Sequence, residues 1–479
     1  MSNSPAKTFY DIHCHTINLS HPCLYAFIRR YTHLIPLAGS TIGFLAQIKW
    51  IFEKRKIKNL LSIMERSVEE MLYAIESDLP ILEIHKGQKF DSMVITPLLM
   101  DFWSDENPGE IDYPFAPKSI IPQVLDVFNG IAAFAHTVRG AAYDTCEKQF
   151  PTVVPFARQT GPNNEWRLDI QNVSSADVVD VKKVFGPQNR KMKVFPFMGI
   201  NTTYCYLKGK KKHSRESAEL ETLLDKYFGS AAKNGEEPYQ GTRAALEQSF
   251  GTFEGGIESL GRNYFAGIKL YPPLGFDPWP EDPENPKKAA HEKAKVEFLY
   301  EFCQSREIPI TTHCGPGGYV VGSEKKAKEN SHPRKWRDVL SHYPKLKLNL
   351  AHFGGMSAGF QYAAAGNPFK HLYQTVTKGG DPEWVEEIIQ LIENDTYQNV
   401  YTDMGFSGVD EDYYQVLAHI FEKHPHVEER LLFGTDFSIN LTDIESYKKY
   451  ITTFLNTEHL TEEQKLKMCS INPEQFLFK

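Results

Sequence analysis

The chain of 479 residues has no disulfide framework. Its seven cysteines are odd in number and unevenly spaced, whereas a disulfide-stapled secreted scaffold carries an even set at recurring intervals. It has no basic excess either: 53 Lys and Arg face 61 Asp and Glu, for a formal net charge of -8. Phosphate backbones recruit clustered cations, so nucleic acid is not an expected partner. The opening Met1 to Lys7 is polar and lacks the apolar stretch of a secretory signal, which together with the cysteines places the protein in a reducing cytoplasm. Long uncharged runs are missing too. The nearest, Leu34 to Phe52, contains Gly39, Ser40, Gln47 and Lys49, and a membrane span needs about 20 predominantly apolar residues. It reads as a lid helix or as a contact in a homo-oligomer, with a membrane-surface role as the lesser alternative. Repeats and low-complexity tracts are absent. The expected partner is a small-molecule substrate, met by a chain long enough to bury a large core.

What is present begins at His13-Cys14-His15, where the opening apolar run Phe9, Tyr10, Ile12 comes to its end. In a strand, residues i and i+2 share a face, so the two imidazoles project together and can chelate a metal. The bland alternative is a pair of ordinary histidines. Seven further apolar runs of strand length follow Thr8 to Ile12: Ser92 to Leu98, Val194 to Ile200, Tyr264 to Tyr271, Ile308 to Thr312, Leu346 to Ala351, Asn399 to Met404 and Arg430 to Thr435. In the second half they are separated by helical periodicity at Pro286 to Ser305, Pro333 to Ser341 and Trp384 to Ile392. Apolar strands alternating with helices imply a parallel sheet covered on both faces. Eight such units predict an α/β fold of the (β/α)8 TIM-barrel type. A plain barrel takes about 250 residues, so the insertions at 16–90, 102–191 and 202–262 are expected to form a helical cap over the C-terminal face of one domain, 1–479. Thr461-Glu462-Glu463-Gln464 is a capping box that starts a last helix.

The polar residues at the ends of these runs form a pattern. The first ends in His13 and His15, the fourth holds Lys269, the fifth ends in His313, the sixth in His352 and the eighth in Asp436. A TIM barrel places its chemistry at C-terminal strand ends. Singly, each has a structural alternative: a hydrogen-bonded histidine, a helix-capping aspartate, a salt-bridged lysine. Jointly they describe one barrel mouth. Gly315-Pro-Gly-Gly318 follows His313 directly and can line the pocket with backbone amides, while Cys314 is read as packing. The basic run Lys208 to His213 is either solvated surface or an anion-steering patch.

On Asp11-Ile-His-Cys-His15, Gly267-Ile-Lys-Leu-Tyr-Pro272, Thr312-His-Cys-Gly315, Leu350-Ala-His-Phe-Gly-Gly355 and Phe433-Gly-Thr-Asp436, the chain resembles the amidohydrolase superfamily. Within it, the likeness is to the amidohydrolase-2 group, which also contains the aminocarboxymuconate-semialdehyde and resorcylate decarboxylases. The resemblance implies His13, His15, His313 and Asp436 as ligands of a divalent metal, most simply one Zn2+, with His352 as a catalytic residue beside it. It leaves two alternatives for Lys269: a carbamylated bridge between two metals, which would recruit His313 and His352 to the second ion, or a free cation facing substrate. One ion is the favoured reading. Three imidazoles and a carboxylate leave room for an activated water, with Asp436 as general base. The expected activity is hydrolysis of an amide, ester or lactone bond. A non-oxidative decarboxylase and an inactive metal-binding scaffold are the alternatives.

Overall fold

The computed structural model describes residues 7–22, 55–79, 82–84, 88–102, 120–139, 157–161, 165–168, 190–210, 218–231, 237–320, 323–365 and 380–478. Its framework strands are β1 Thr8–Cys14, β2 Ser92–Pro97, β3 Met192–Val194, β4 Phe197–Gly199, β5 Gly267–Leu270, β6 Ile310–His313, β7 Leu348–Ala351, β8 Val400–Asp403 and β9 Leu431–Leu432. They form two sheets, β1-β2-β3 and β9-β8-β7-β6-β5-β4, in which each pairing is parallel. The sheets meet at both edges. On one side Ile12 N donates to Phe433 O and Thr435 N to His13 O, each at 3.1 Å, and on the other Leu99 N donates to Phe197 O at 3.2 Å. The architecture is that of the TIM barrel.

Every apolar run of the sequence carries a strand, but the third is broken. Its ladder to β2 stops at Val194, and the chain resumes pairing at Phe197, now with β5. Pro196 lies at the break and has no N–H to give to a ladder, so one expected strand becomes β3 and β4.

Outside the barrel, helices cover the strands for reasons visible in their residues. In Pro286–Arg306 the Asn285 side chain accepts from Lys288 N and Pro286 occupies the first turn, where a missing N–H costs nothing. Val296, Leu299, Tyr300 and Cys303 form its buried face, and the Tyr300 hydroxyl donates to Pro278 O at 2.9 Å, tying down the loop after β5. Arg334–His342 buries Trp336, Val339 and Leu340, and Glu383–Ile392 buries Trp384, Val385, Ile388 and Ile389. The capping box is formed: Thr461 Oγ1 accepts from Gln464 N and Gln464 Oε1 from Thr461 N. Among the described residues no helix is long and apolar enough to cross a membrane. The segment Leu34 to Phe52 lies outside the described residues, as do Lys211 to His213; Lys208 and Lys210 are exposed.

Candidate active site

The end of β1 brings His13 and His15 together, with ring centroids 5.4 Å apart. Each ring has one nitrogen committed behind it. His13 Nδ1 donates to both oxygens of Asp403 at 3.0 Å, and His15 Nδ1 donates to the Leu98 carbonyl at 3.0 Å. The tautomers are thereby fixed, and both Nε2 lone pairs face the barrel mouth. They meet Asp436 Oδ1, 3.5 Å from His13 Nε2 and 3.1 Å from His15 Nε2. The backbone lies flat against the His13 ring. A Cβ on Gly434 would come within 2.6 Å of His13 Cβ, and one on Gly405 within 2.8 Å of His13 Nδ1, so neither position tolerates a larger residue without displacing His13.

This arrangement fits a cation. The three ligand atoms of His13, His15 and Asp436 lie within 4.8 Å of one another, all are acceptors, and His13 Nε2 is buried with no hydrogen-bond partner among the described residues. Burial lowers the pKa of His15, which favours the neutral ring that ligates a metal. Burial works against the charge of Asp436, but the His15 side chain beside it and the nearby His13 and His352 rings hold its carboxyl below the usual carboxylate range. Two lone-pair nitrogens and a carboxylate oxygen converging in a sealed site repel each other unless a positive ion lies between them.

His313 is not in that cluster. Its Nε2 donates to the Gly317 carbonyl at 2.9 Å, and its Nδ1 lies 3.0 Å from His352 Nε2. His352 Nδ1 donates to Gly405 O at 3.2 Å, so in the neutral forms the two facing nitrogens are again both acceptors. Burial pushes His352 down to about 4, and burial with the neighbouring His352 holds His313 well below its ordinary value. The His352 ring in turn lies 4.6 Å from that of His13, centroid to centroid.

Asp403, at the end of β8, was missed as a functional residue in the sequence. It accepts from His13, from Asn349 Nδ2 at 2.7 Å, from His352 N at 3.0 Å and from Gly405 N at 2.9 Å. Despite its burial, the His13 ring and these bonds hold its carboxyl far below the ordinary range. It lies inside the strand-length run Asn399 to Met404, one residue before its end. A second buried carboxylate, Asp11, accepts from Thr435 N at 3.0 Å, Thr435 Oγ1 at 2.7 Å and Tyr447 OH at 3.0 Å, which sets the turn that presents Asp436. Burial raises its pKa to about 6. Asp436, His352, Phe353 and Phe406 all have positive φ, from 48 to 72°. Such backbone costs about 1 kcal/mol or more per residue and collects at functional sites.

All six residues singled out in the sequence, His13, His15, Lys269, His313, His352 and Asp436, line one cavity of about 530 Å³. Gly315 to Gly318 line it too, and Ile17, Met64 and Phe102 reach it from the inserted segments. Lys269 on β5 is buried, and its ammonium has no hydrogen-bond partner among the described residues. Cys314 is buried, and burial pushes its thiol up, as suits a packing residue.

A parallel barrel with histidines and an aspartate gathered at its C-terminal mouth defines a metal-dependent enzyme class, and comparison with known proteins gives the family. The amidohydrolase family model, of the amidohydrolase-2 group, matches residues 213–479. The chain belongs to that family and is a metal-dependent amidohydrolase-family enzyme. No curated protein matches it. Solved structures similar to it include an amidohydrolase II at 10% identity, covering 98% of this chain and 99% of the other with a TM-score of 0.39. Another is 5-carboxyvanillate decarboxylase from Novosphingobium aromaticivorans, complexed with manganese and 4-hydroxy-3-methoxy-5-nitrobenzoic acid, at 9% identity, 98% and 96% coverage and TM-score 0.38. A third is a probable 2-pyrone-4,6-dicarboxylic acid hydrolase from Acinetobacter baumannii with citric acid bound, at 10% identity, 98% coverage of both chains and TM-score 0.36.

Proposed function

We propose that the protein is a hydrolase of a C–N or ester-type bond, an amide or a lactone, built around one zinc-class ion. The observation that carries this reading is the convergence of His13 Nε2, His15 Nε2 and Asp436 Oδ1, three acceptors with no donor among them. His313 Nδ1 and His352 Nε2 are the next free acceptors along the wall; His313 serves as fourth ligand and His352 as the group beside the substrate. Three imidazoles and a carboxylate are a donor set that suits zinc. A bound divalent ion supplies Lewis acidity, lowering the pKa of a water towards about 7 and polarising a carbonyl.

The chain's own residues do the rest. Asp436 accepts the proton of the attacking water and returns it to the leaving atom. His352, held by its bond to Gly405 and its backbone bond to Asp403, stabilises charge on the carbonyl oxygen. Met100, Phe102, Met356 and Phe406 wall the cavity and keep bulk water from competing; most of the inserted segments expected to cap it lie outside the described residues. Decarboxylation on the same ligands is the alternative, with a proton delivered to carbon in place of the attack of water.

Isotopes test the choice. Metal-loaded protein, screened against lactones, amides and aromatic acids in ¹⁸O-labelled, deuterated water, is expected to place ¹⁸O in a product carboxylate. Release of carbon dioxide with deuterium on carbon and no ¹⁸O uptake would replace this reading with the decarboxylase.

A further inference from the structure

Lys269 is the one lysine or arginine among the described residues that line the cavity, and the reaction above does not use it. It sits on β5 between Ile268 and Leu270, is 1% exposed, and its ammonium has neither a hydrogen bond nor an ion pair with any described residue. The two carboxylates that act on it electrostatically are committed elsewhere. Asp403 is filled by His13, Asn349, His352 N and Gly405 N, and Asp436 is turned to the His13 and His15 rings. Tyr271 offers only its ring face, 5.7 Å from the ammonium. An uncompensated buried cation is costly, and it is retained most economically where a ligand brings the missing charge. Burial lowers its pKa to about 8, leaving it mainly charged at neutral pH.

The rest of the lining restricts that ligand. Met64, Met100, Phe102, Met356, Phe406 and Ile439 form an apolar wall, and thioethers and rings of this kind accept flat organic bodies. Among the described lining residues no arginine and no second lysine occurs, and the remaining charged group, Asp443, is acidic. A divalent ion's charge is matched by Asp436 and Asp403, which leaves Lys269 to one negative group. We propose that Lys269 is the seat for the single carboxylate of a substrate that is otherwise an apolar ring, so that this enzyme takes a monoacid in preference to a diacid. The inference rests on this cavity being the active site, but not on the bond that is broken there.

Binding of unreactive probes tests it apart from turnover. Calorimetry on the metal-loaded protein with benzoate, its neutral near-isostere acetophenone, and isophthalate should give benzoate the highest affinity. A charge-assisted hydrogen bond corresponds to about 10- to 100-fold in affinity. K269M should lose about that factor for benzoate and less than about threefold for acetophenone, with metal content unchanged, and K269R should recover part of the loss. Three results would overturn the proposal: equal benzoate binding in K269M, tighter binding of isophthalate than benzoate, or no acid binding at millimolar concentration. A fall in metal content in folded K269M would overturn it too, moving Lys269 into the metal centre. If labelled water shows no hydrolysis while these affinities hold, the reaction assignment fails and the anion seat stands.

Discussion

The two sides of the barrel mouth treat their polar atoms in opposite ways. On the side of β1 and β8, every nitrogen that does not face the cavity is tied down: His13 to Asp403, His15 to Leu98, Asp403 in turn to Asn349 and two backbone amides. On the side of β5, Lys269 has no hydrogen-bond partner among the described residues. Fixing the back of each imidazole fixes where its lone pair points, which a metal site needs before the metal arrives. Leaving a cation unpaired keeps its interaction energy for a ligand. On the reading proposed above, the first side holds an ion and the second selects a substrate, and the contrast can be broken experimentally.

The largest effect tests the holding side directly. Removal of the divalent ion with a chelator should abolish turnover while the barrel keeps its far-UV circular dichroism, because the core is extensive and independent of the site. Full activity in protein shown to be metal-free by elemental analysis would end the metal-dependent reading. Next is Asp436→Asn, which removes the proton acceptor and a ligand charge together. Loss of a general base typically costs about 10²- to 10⁴-fold in rate, and kcat should fall at least that far with the fold intact. Wild-type turnover in this variant would remove Asp436 from the chemistry.

How much of this was legible beforehand follows from what each residue depends on. The strands were readable because a parallel strand buried on both faces is apolar along its length, and β7 and β8 fall inside the runs expected for them. The third strand was misjudged only because Pro196 was read as part of a run rather than as an interruption. His13, His15 and Asp436 were readable as strand-end polar residues in one motif set. Asp403 was not, although it too ends a strand, because its role is defined by a partner 390 positions away and a lone aspartate after Tyr401-Thr402 has no local signature. The pairing of His313 with His352 likewise depends on ring orientation, which sequence does not carry. The unpaired state of Lys269 is a statement about where the acids are not, and no pattern along the chain encodes it.

Asp403→Ala should separate pinning from ligation. It touches no substrate in the reading above, yet it frees His13 to rotate and leaves Asn349 Nδ2 and two backbone amides without their acceptor. Loss of a residue that orients a metal ligand typically costs about 10- to 100-fold in metal affinity. Competition with a chelating dye should show that shift, and Asp403→Asn, which keeps an acceptor oxygen, should recover part of it. Unchanged metal affinity in folded Asp403→Ala would mean that packing by Gly405 and Gly434 suffices to hold the ring.

The smallest effect bears on how far the pinned region extends. Tyr447 donates to Asp11 from outside the cavity, and Asp11 keeps its two bonds from Thr435 if that donor is lost. Tyr447→Phe therefore removes one buried hydrogen bond without releasing the turn that presents Asp436. The expected cost is about 1 kcal/mol, a fall of about 1–2 °C in Tm for a chain this long. Metal affinity should stay within about twofold, since Asp403, and not Asp11, holds the His13 ring. If Tyr447→Phe instead loses metal as Asp403→Ala does, the ion-holding side is one connected network running from Tyr447 through Asp11 and Thr435 to Asp436. The division at the mouth would then lie between a single cooperative unit and Lys269 alone.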